Sequence, residues 1–268
     1  MQVRVVTWNV ARRVSVLAEQ AAALASREPD VIALQEVTAR TLPLWRAACS
    51  TVGLGHVRAS LDGADPQREP SARRRTGVLV ASRTPLEDGA MVLPVPWSET
   101  ALSTAIAGSG TEICCVHVPN AANGWVKVET LAAIRIGLAG ADLGARILCG
   151  DLNTPRRELP DGEVISFASD SNGRLRPERG TEWDVAELSV VPGLRELGYR
   201  DAFRSLHGYG SREPSWTWRR IAGHGGGWRL DHLFASRELQ PVACRYHHDW
   251  RERDLSDHSA LEADLEVS

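Results

Sequence analysis

Seven short apolar runs rich in β-branched residues recur along the chain, and they constrain its fold more than any other feature. They are Val3 to Thr7, Val31 to Leu34, Val78 to Ala81, Ile113 to Val118, Ile147 to Cys149, Leu230 to Phe234 and Ala260 to Leu265. Each is too short for a buried helix and reads as a core strand. Helical patterns lie between them at Val14 to Ser26, Thr41 to Thr51 and Val126 to Ala139, the last stopped by Gly140. Strands and helices therefore alternate in the first half, which predicts an α/β fold.

At 268 residues the chain is long enough for a substantial core, and one domain spanning 1–268 is the simpler expectation. Hydrophobic residues at 43% and charged residues at 24%, with no low-complexity tract, exclude a disordered or fibrous chain. A formal net charge of -3 gives no whole-molecule pull toward a polyanion, so affinity for nucleic acid must come from local basic clusters. Of the 31 basic residues only Lys127 is a lysine. The five cysteines form no metal-ligand spacing and read as reduced, buried thiols. The chain opens directly on the strand-like Gln2 to Trp8, and no apolar run approaches the roughly 20 residues needed to span a bilayer. The expectation is a cytoplasmic protein without a membrane segment.

Polar residues gather at the strand ends, where a scaffold exposes functional groups on fixed backbone. In Ile147-Leu148-Cys149-Gly150-Asp151-Leu152-Asn153 an acid and an amide stand two apart, so both can project to one side of an extended chain. Alone, the pair is equally readable as an Asx-turn. Val31-Ile32-Ala33-Leu34-Gln35-Glu36 ends in a carboxylate suited to a hard cation such as Mg²⁺. Asn9 closes the first strand as a phosphate or metal contact, or as a helix N-cap. Near the C-terminus, Asp231 and the run Asp257-His258 offer an acid that holds an imidazole protonated and oriented.

Taken in order, these segments resemble the endonuclease/exonuclease/phosphatase superfamily, which includes DNase I, exonuclease III-type abasic-site endonucleases, sphingomyelinases and inositol-polyphosphate phosphatases. The likeness runs from Val5 to Leu265. It implies a DNase I-like four-layer α/β sandwich, two packed mixed β-sheets flanked by helices, with the site where strand ends meet at one edge. It implies Glu36 as the metal carboxylate with Asn9 nearby, and Asp151 as the water-orienting or water-deprotonating acid. Asn153 becomes a phosphate contact, Asp231 and His258 an acid–imidazole pair, and Asp257 a further metal or His-orienting group.

Val118-Pro119-Asn120 and Gly227-Trp228-Arg229-Leu230-Asp231 lean toward the abasic-site branch. His117 departs from that branch's tyrosine and is similar to DNase I and the phosphatases, where a histidine protonates the leaving group or contacts phosphate. Ala11 stands where the branch has an acid, and Arg75-Thr76-Gly77-Val78 lacks its aromatic. Asn120, Trp228, Arg229 and Arg75 are the expected substrate contacts. Arg73, Arg74, Arg156, Arg157, Arg219 and Arg220, with Trp216, Trp218 and Trp228 interleaved, give a groove reading, against which stand a solvated loop for 73–75 and core packing for the tryptophans; Trp8 and Trp45 are assigned to the core. The implied enzyme is a monomeric Mg²⁺-dependent phosphodiester hydrolase, Mn²⁺ serving as a substitute cation. Its implied substrate is DNA, cut as an endonuclease or exonuclease, at abasic sites or elsewhere. The alternative is a phosphatase or phosphodiesterase acting on a phospholipid, an inositol phosphate or another small phosphorylated compound.

Overall fold

The computed structural model describes residues 2–63, 75–140, 144–219 and 225–267, apart from the side chains at 218, 219 and 225. The first half runs β1 (Gln2–Asn9), α1 (Leu17–Ala25), β2 (Val31–Thr38), α2 (Leu42–Thr51), β3 (His56–Ala59), β4 (Thr76–Ser82), β5 (Leu86–Asp88), β6 (Ala101–Ile106), β7 (Glu112–His117) and α3 (Trp125–Ala139). The second half runs β8 (Arg146–Asp151), β9 (Arg157–Glu158), β10 (Val164–Ile165), α4 (Gly180–Val190), β11 (Arg200–Asp201), α5 (Ala202–His207), β12 (Trp216–Arg219), β13 (Gly225–Trp228), β14 (Asp231–Ala235), β15 (Leu239–His247), α6 (His248–Glu252) and β16 (Ala260–Val267). All seven expected strands and all three expected helices are present.

Two six-stranded mixed sheets form the centre, one in the order β15-β16-β1-β2-β4-β3 and the other β11-β14-β8-β7-β6-β5. Side chains alternate across each strand, and here both faces are buried. Val5, Ala33, Val80, Ile113, Ile147, Leu233 and Ala263 meet between the sheets. The opposite faces of the first sheet, with Val6, Trp8, Ile32, Leu34 and Leu79, pack on α1 and α2. Those of the second, with Cys114, Val116, Leu148 and Phe234, pack on α3 and α4. The result is the expected four-layer α/β sandwich. Its driving term is apolar burial, about 1.5–3 kcal/mol for each large side chain taken out of water.

Among the elements that the sequence reading did not foresee, two were hidden for identifiable reasons. Helix α4 turns Glu187 inward beside Trp183, Ala186 and Val190, so a charge breaks its apolar stripe. Strand β15 carries Pro241 and a register shift between Pro241 and Ala243, which disrupts its alternation. The expected surface excursion from Pro155 to Glu182 holds only the small β9–β10 ribbon before α4 begins.

Both parallel pairings aim their C-terminal ends at the same rim: β1 with β2, where Asn9 faces Gln35, and β7 with β8, where His117 faces Asp151. In the antiparallel β8–β14 pairing Asp151 lies opposite Asp231. Strand register therefore lines up His117, Asp151 and Asp231 across the end of one sheet, beside Asn9 and Glu36 from the other.

Candidate active site

Two backbone devices set the carboxylates. The β2–β4 register slips between Leu34 and Val37, and Glu36 within this bulge has φ of 59°. Such a left-handed non-glycine residue costs on the order of 1 kcal/mol and persists where packing enforces it. Gln35 stays buried, donating to Thr7 Oγ1 at 3.0 Å, while the bulge re-aims Glu36 into the cleft. On β8, Gly150 has φ of +138°, and a Cβ there would stand 2.0 Å from the Val116 carbonyl oxygen. Only glycine lets β8 run that close to β7 and deliver Asp151 beside His117.

Asp151 is 1% exposed and accepts three hydrogen bonds. Its Oδ1 accepts from the Asn153 backbone N–H at 2.9 Å, and its Oδ2 accepts from Asn9 Nδ2 at 3.0 Å and Asn153 Nδ2 at 3.3 Å. Asn9 Nδ2 also reaches Glu36 Oε1 at 3.3 Å, while its Oδ1 accepts from the Ala11 N–H at 3.0 Å. Asn9 thus presents a donor between the two carboxylates, and its oxygen is committed to the backbone. His117 Nε2 stands 3.8 Å from Asp151 Oδ2 and 3.9 Å from Glu36 Oε1. His258 Nε2 lies 3.8 Å from the same Asp151 oxygen, and its Nδ1 donates to Asp231 Oδ2 at 2.8 Å.

These contacts fix the charge states. Burial disfavours the His258 imidazolium, but Asp231 and Asp151 outweigh it and hold the group protonated, its pKa raised to about 10. Burial raises Asp151 above the usual carboxylate range, against the opposing pull of His258. Asp151, Asp231 and His258 bring one potential ligand atom each within 4.8 Å of one another. His258 Nδ1 is committed to Asp231 Oδ2 at 2.8 Å, so the trio stands as an ion-paired cluster. The oxygen donors of Glu36, with the exposed Asp257 on the same cleft wall, fit a hard cation better.

Glu36, His117, Asp151, Asn153, Asp257 and His258 all line one cleft, as do Arg75, Asn120 and Trp228. Asn120 Oδ1 is occupied by the Ala122 N–H at 3.1 Å. Arg75 approaches Glu99 at 3.5 Å. Trp228 stacks on Trp216, its partner across the β12–β13 ribbon, with ring centroids 5.2 Å apart, and Trp216 Nε1 donates to Asp257 Oδ2 at 3.2 Å. Trp8 and Trp45 are core residues, and Trp8 Nε1 ties the core to the His258 carbonyl at 2.9 Å. Arg73, Arg74 and Arg220, together with the side chains of Trp218 and Arg219, lie outside the described residues.

The expectation for Arg229 is corrected. Its side chain is 3% exposed, and its Nη2 is 2.6 Å from both Glu158 Oε1 and Asp201 Oδ2. The same two acids engage Arg204 and His232, so Arg229 belongs to a buried network that joins β9, β11 and β14. An arginine beside a catalytic motif carries no sequence mark saying which way it points.

Other contributors were not foreseen. Arg12 Nε binds Glu36 Oε2 at 2.9 Å from a turn in which Ala11 and Arg12 both have positive φ. Beneath the site, the fully buried Lys127 donates to the Asn153 carbonyl at 2.8 Å and Glu187 Oε1 at 2.6 Å. Glu187 also accepts from Trp183 Nε1, Thr154 Oγ1 and the Phe167 N–H at 2.6, 2.6 and 2.8 Å. The single lysine among thirty arginines was a signal available in the sequence.

A two-sheet α/β sandwich whose strand ends hold buried acids against two imidazoles in an open, arginine-walled cleft defines a hydrolase of phosphoester bonds. The chain belongs to the Endonuclease/Exonuclease/phosphatase family, which it matches over residues 6–258. Members of that family generally depend on a divalent metal. Curated proteins give no match. Among solved structures, an AP endonuclease from Archaeoglobus fulgidus is 22% identical with a TM-score of 0.68, covering 97% of this chain and 98% of its own. A 3′ phosphatase from Neisseria bound to a product DNA hairpin is 21% identical with a TM-score of 0.67, covering 99% of each chain. An endonuclease/exonuclease/phosphatase from Beutenbergia cavernae DSM 12333 is 21% identical with a TM-score of 0.66, covering all of this chain and 72% of its own. These likenesses establish the shared fold.

Proposed function

We propose that the chain is a Mg²⁺-dependent phosphodiesterase whose substrate is DNA. The observation that carries this reading is the meeting of Glu36, His117, Asp151, Asn153 and His258 at one cleft wall, with Asp231 behind His258. The cleft encloses about 1290 Å³, beyond the roughly 300–1,000 Å³ of small-molecule pockets, which favours an extended substrate. Similarity to an AP endonuclease and to a phosphatase bound to a DNA hairpin supports nucleic acid. The reading takes 1–268 as one catalytic domain acting as a monomer. Among the described residues, no helix is long and apolar enough to cross a membrane.

Glu36 would hold the cation with Asp257 on the same cleft wall, and Mn²⁺ is the expected substitute; the metal role expected for Asn9 gives way to that of a donor between the carboxylates, since its amide oxygen is taken by the Ala11 N–H. A bound divalent cation supplies charge neutralisation at a non-bridging phosphate oxygen. The chain's own groups do the rest. Asp151, raised by burial, accepts a proton from the attacking water. Asn9 and Asn153 fix that carboxylate by three of its hydrogen bonds. The His258 imidazolium, anchored by Asp231, faces the charge that develops on the phosphoryl oxygens. His117, adjoining both carboxylates, donates to the leaving oxygen.

His117 also favours a second reading, hydrolysis of a small phosphomonoester, because an imidazole can protonate a poor alkoxide leaving group. A substrate panel separates the two: duplex DNA with and without an abasic site, single-stranded DNA, RNA, a phosphoinositide and sphingomyelin, each with and without Mg²⁺. Asp151→Asn is the blank and should lose about 10²–10⁴-fold. Turnover of a small phosphoester alone would overturn the DNA reading.

A further inference from the structure

The cleft's arginines fall into two groups. Arg12 and Arg75 have carboxylate partners within the cleft, Glu36 at 2.9 Å and Glu99 at 3.5 Å. Arg156, Arg176 and Arg179, on the stretch that follows Asn153, are compensated far less. Among the described residues Arg176 comes no nearer an acid than 3.9 Å, to the exposed Glu178. Arg179 donates to the Phe167 carbonyl and lies over the Trp183 ring at 4.8 Å, neither contact cancelling its charge.

Arg156 is the extreme case. Partly buried on the cleft wall three residues after Asn153, it makes no hydrogen bond or ion pair among the described residues. Burial and the fields of Arg176, Arg157 and Arg179 disfavour its charge. Asp170 is the acid that opposes them, yet its Oδ1 is spent on the Asn172 and Arg174 N–H groups at 2.8 and 3.0 Å. A guanidinium held among like charges without a partner destabilises the protein unless an anion joins it. Phe167 and Trp228, packed edge to face at 4.9 Å, line the cleft there and offer flat surfaces for a base or sugar.

We propose that Arg156, Arg176 and Arg179 form a second phosphate subsite, which takes a backbone phosphate of a nucleic-acid strand next to the one being cleaved. The proposal rests on the phosphodiesterase reading above and adds that the enzyme selects substrates with more than one phosphate. Arg12 is paired with Glu36 at the reaction centre, whereas Arg156 has no hydrogen bond or ion pair among the described residues, and that contrast marks the path of the strand. The strand leaves the reaction centre over the segment after Asn153.

The test measures binding of a fluorescein-labelled DNA hairpin by anisotropy over a range of salt, with Asp151→Asn as the parent to prevent turnover. Adding Arg156→Ala should weaken binding roughly tenfold and lower the slope of log Kd against log salt by about one, as expected for one lost phosphate contact. Arg156→Lys should restore part of both. Unchanged affinity and slope, or a parent that does not bind the hairpin, would overturn the subsite. Tighter binding of inositol 1,4-bisphosphate than of the hairpin would overturn its assignment to a nucleic-acid backbone. Hydrolysis of bis(p-nitrophenyl) phosphate by the wild-type enzyme is scored separately. Inertness there, with the Arg156 effect intact, sinks the phosphodiesterase reading and leaves the anion site.

Discussion

The fate of single side chains here depends on which charges they meet. Arg12 is exposed and offsets the charge of Glu36, the carboxylate proposed to hold the cation, at 2.9 Å. Arg12→Ala should therefore lower the Mg²⁺ concentration for half-maximal activity. An exposed pair contributes up to about 1 kcal/mol, so the shift should not exceed about fivefold. Metal titration of the variant checks this, and a weaker Mg²⁺ requirement in the wild type would contradict it. His258 makes a separate prediction. Its folded pKa, about 10, lies above its ordinary 6.5, so its contribution to stability is complete below 6.5 and is lost as pH rises through about 10. The thermal midpoint of the wild type should fall across that interval, and that of His258→Asn should fall less. Parallel curves would mean that Asp231 does not hold the imidazolium.

Buried polar clusters act as clamps between elements. Lys127 on α3 and Glu187 on α4 grip the backbone at Asn153 and Phe167 and the hydroxyl of Thr154. Lys127→Met leaves Glu187 buried without its counter-charge and should cost about 3–5 kcal/mol, read by denaturant unfolding. Lys127→Arg should recover part of that loss. Arg229 performs the same service among β9, β11 and β14, and its removal belongs on the stability axis. Arg229→Met should lower stability by a similar amount and leave the KM for DNA within about twofold once folded protein is compared. A large KM effect without loss of stability would restore it as a substrate contact. Glu158, held down to about 2 by Arg229 and Arg204 against its own burial, carries the acid side. Its contribution is present above 4.5 and disappears as pH falls through about 2.

The whole molecule is a sandwich whose two sheets are sealed on both faces, and its five thiols report that seal. Burial raises Cys49, Cys114 and Cys115 to about 12 and pushes Cys149 and Cys244 up as well. All five are free and buried. The native protein should react with none of them in a thiol-colour assay at neutral pH, and all five should react in denaturant. Rapid labelling of the native state would show that the layers open on that time scale.

The layers were legible in the sequence because buried strands write continuous apolar runs, and residues such as Val5, Ala33 and Ile147 have no other place to go. The acids and amides at the strand ends were legible for the same reason: Glu36, Asp151 and Asn153 each interrupt or follow such a run where the strands end at the cleft. Helix α4 was hidden because Glu187 faces inward. Sequence alone could not tell Arg229 from Arg156, two arginines beside site motifs, one sealed into a salt-bridge network and the other in the cleft without a partner among the described residues. Hydrophobic pattern is local and survives in one dimension. The partner of a charge is set by residues far away in the chain, Glu158 and Asp201 for Arg229, and only the folded chain brings them together.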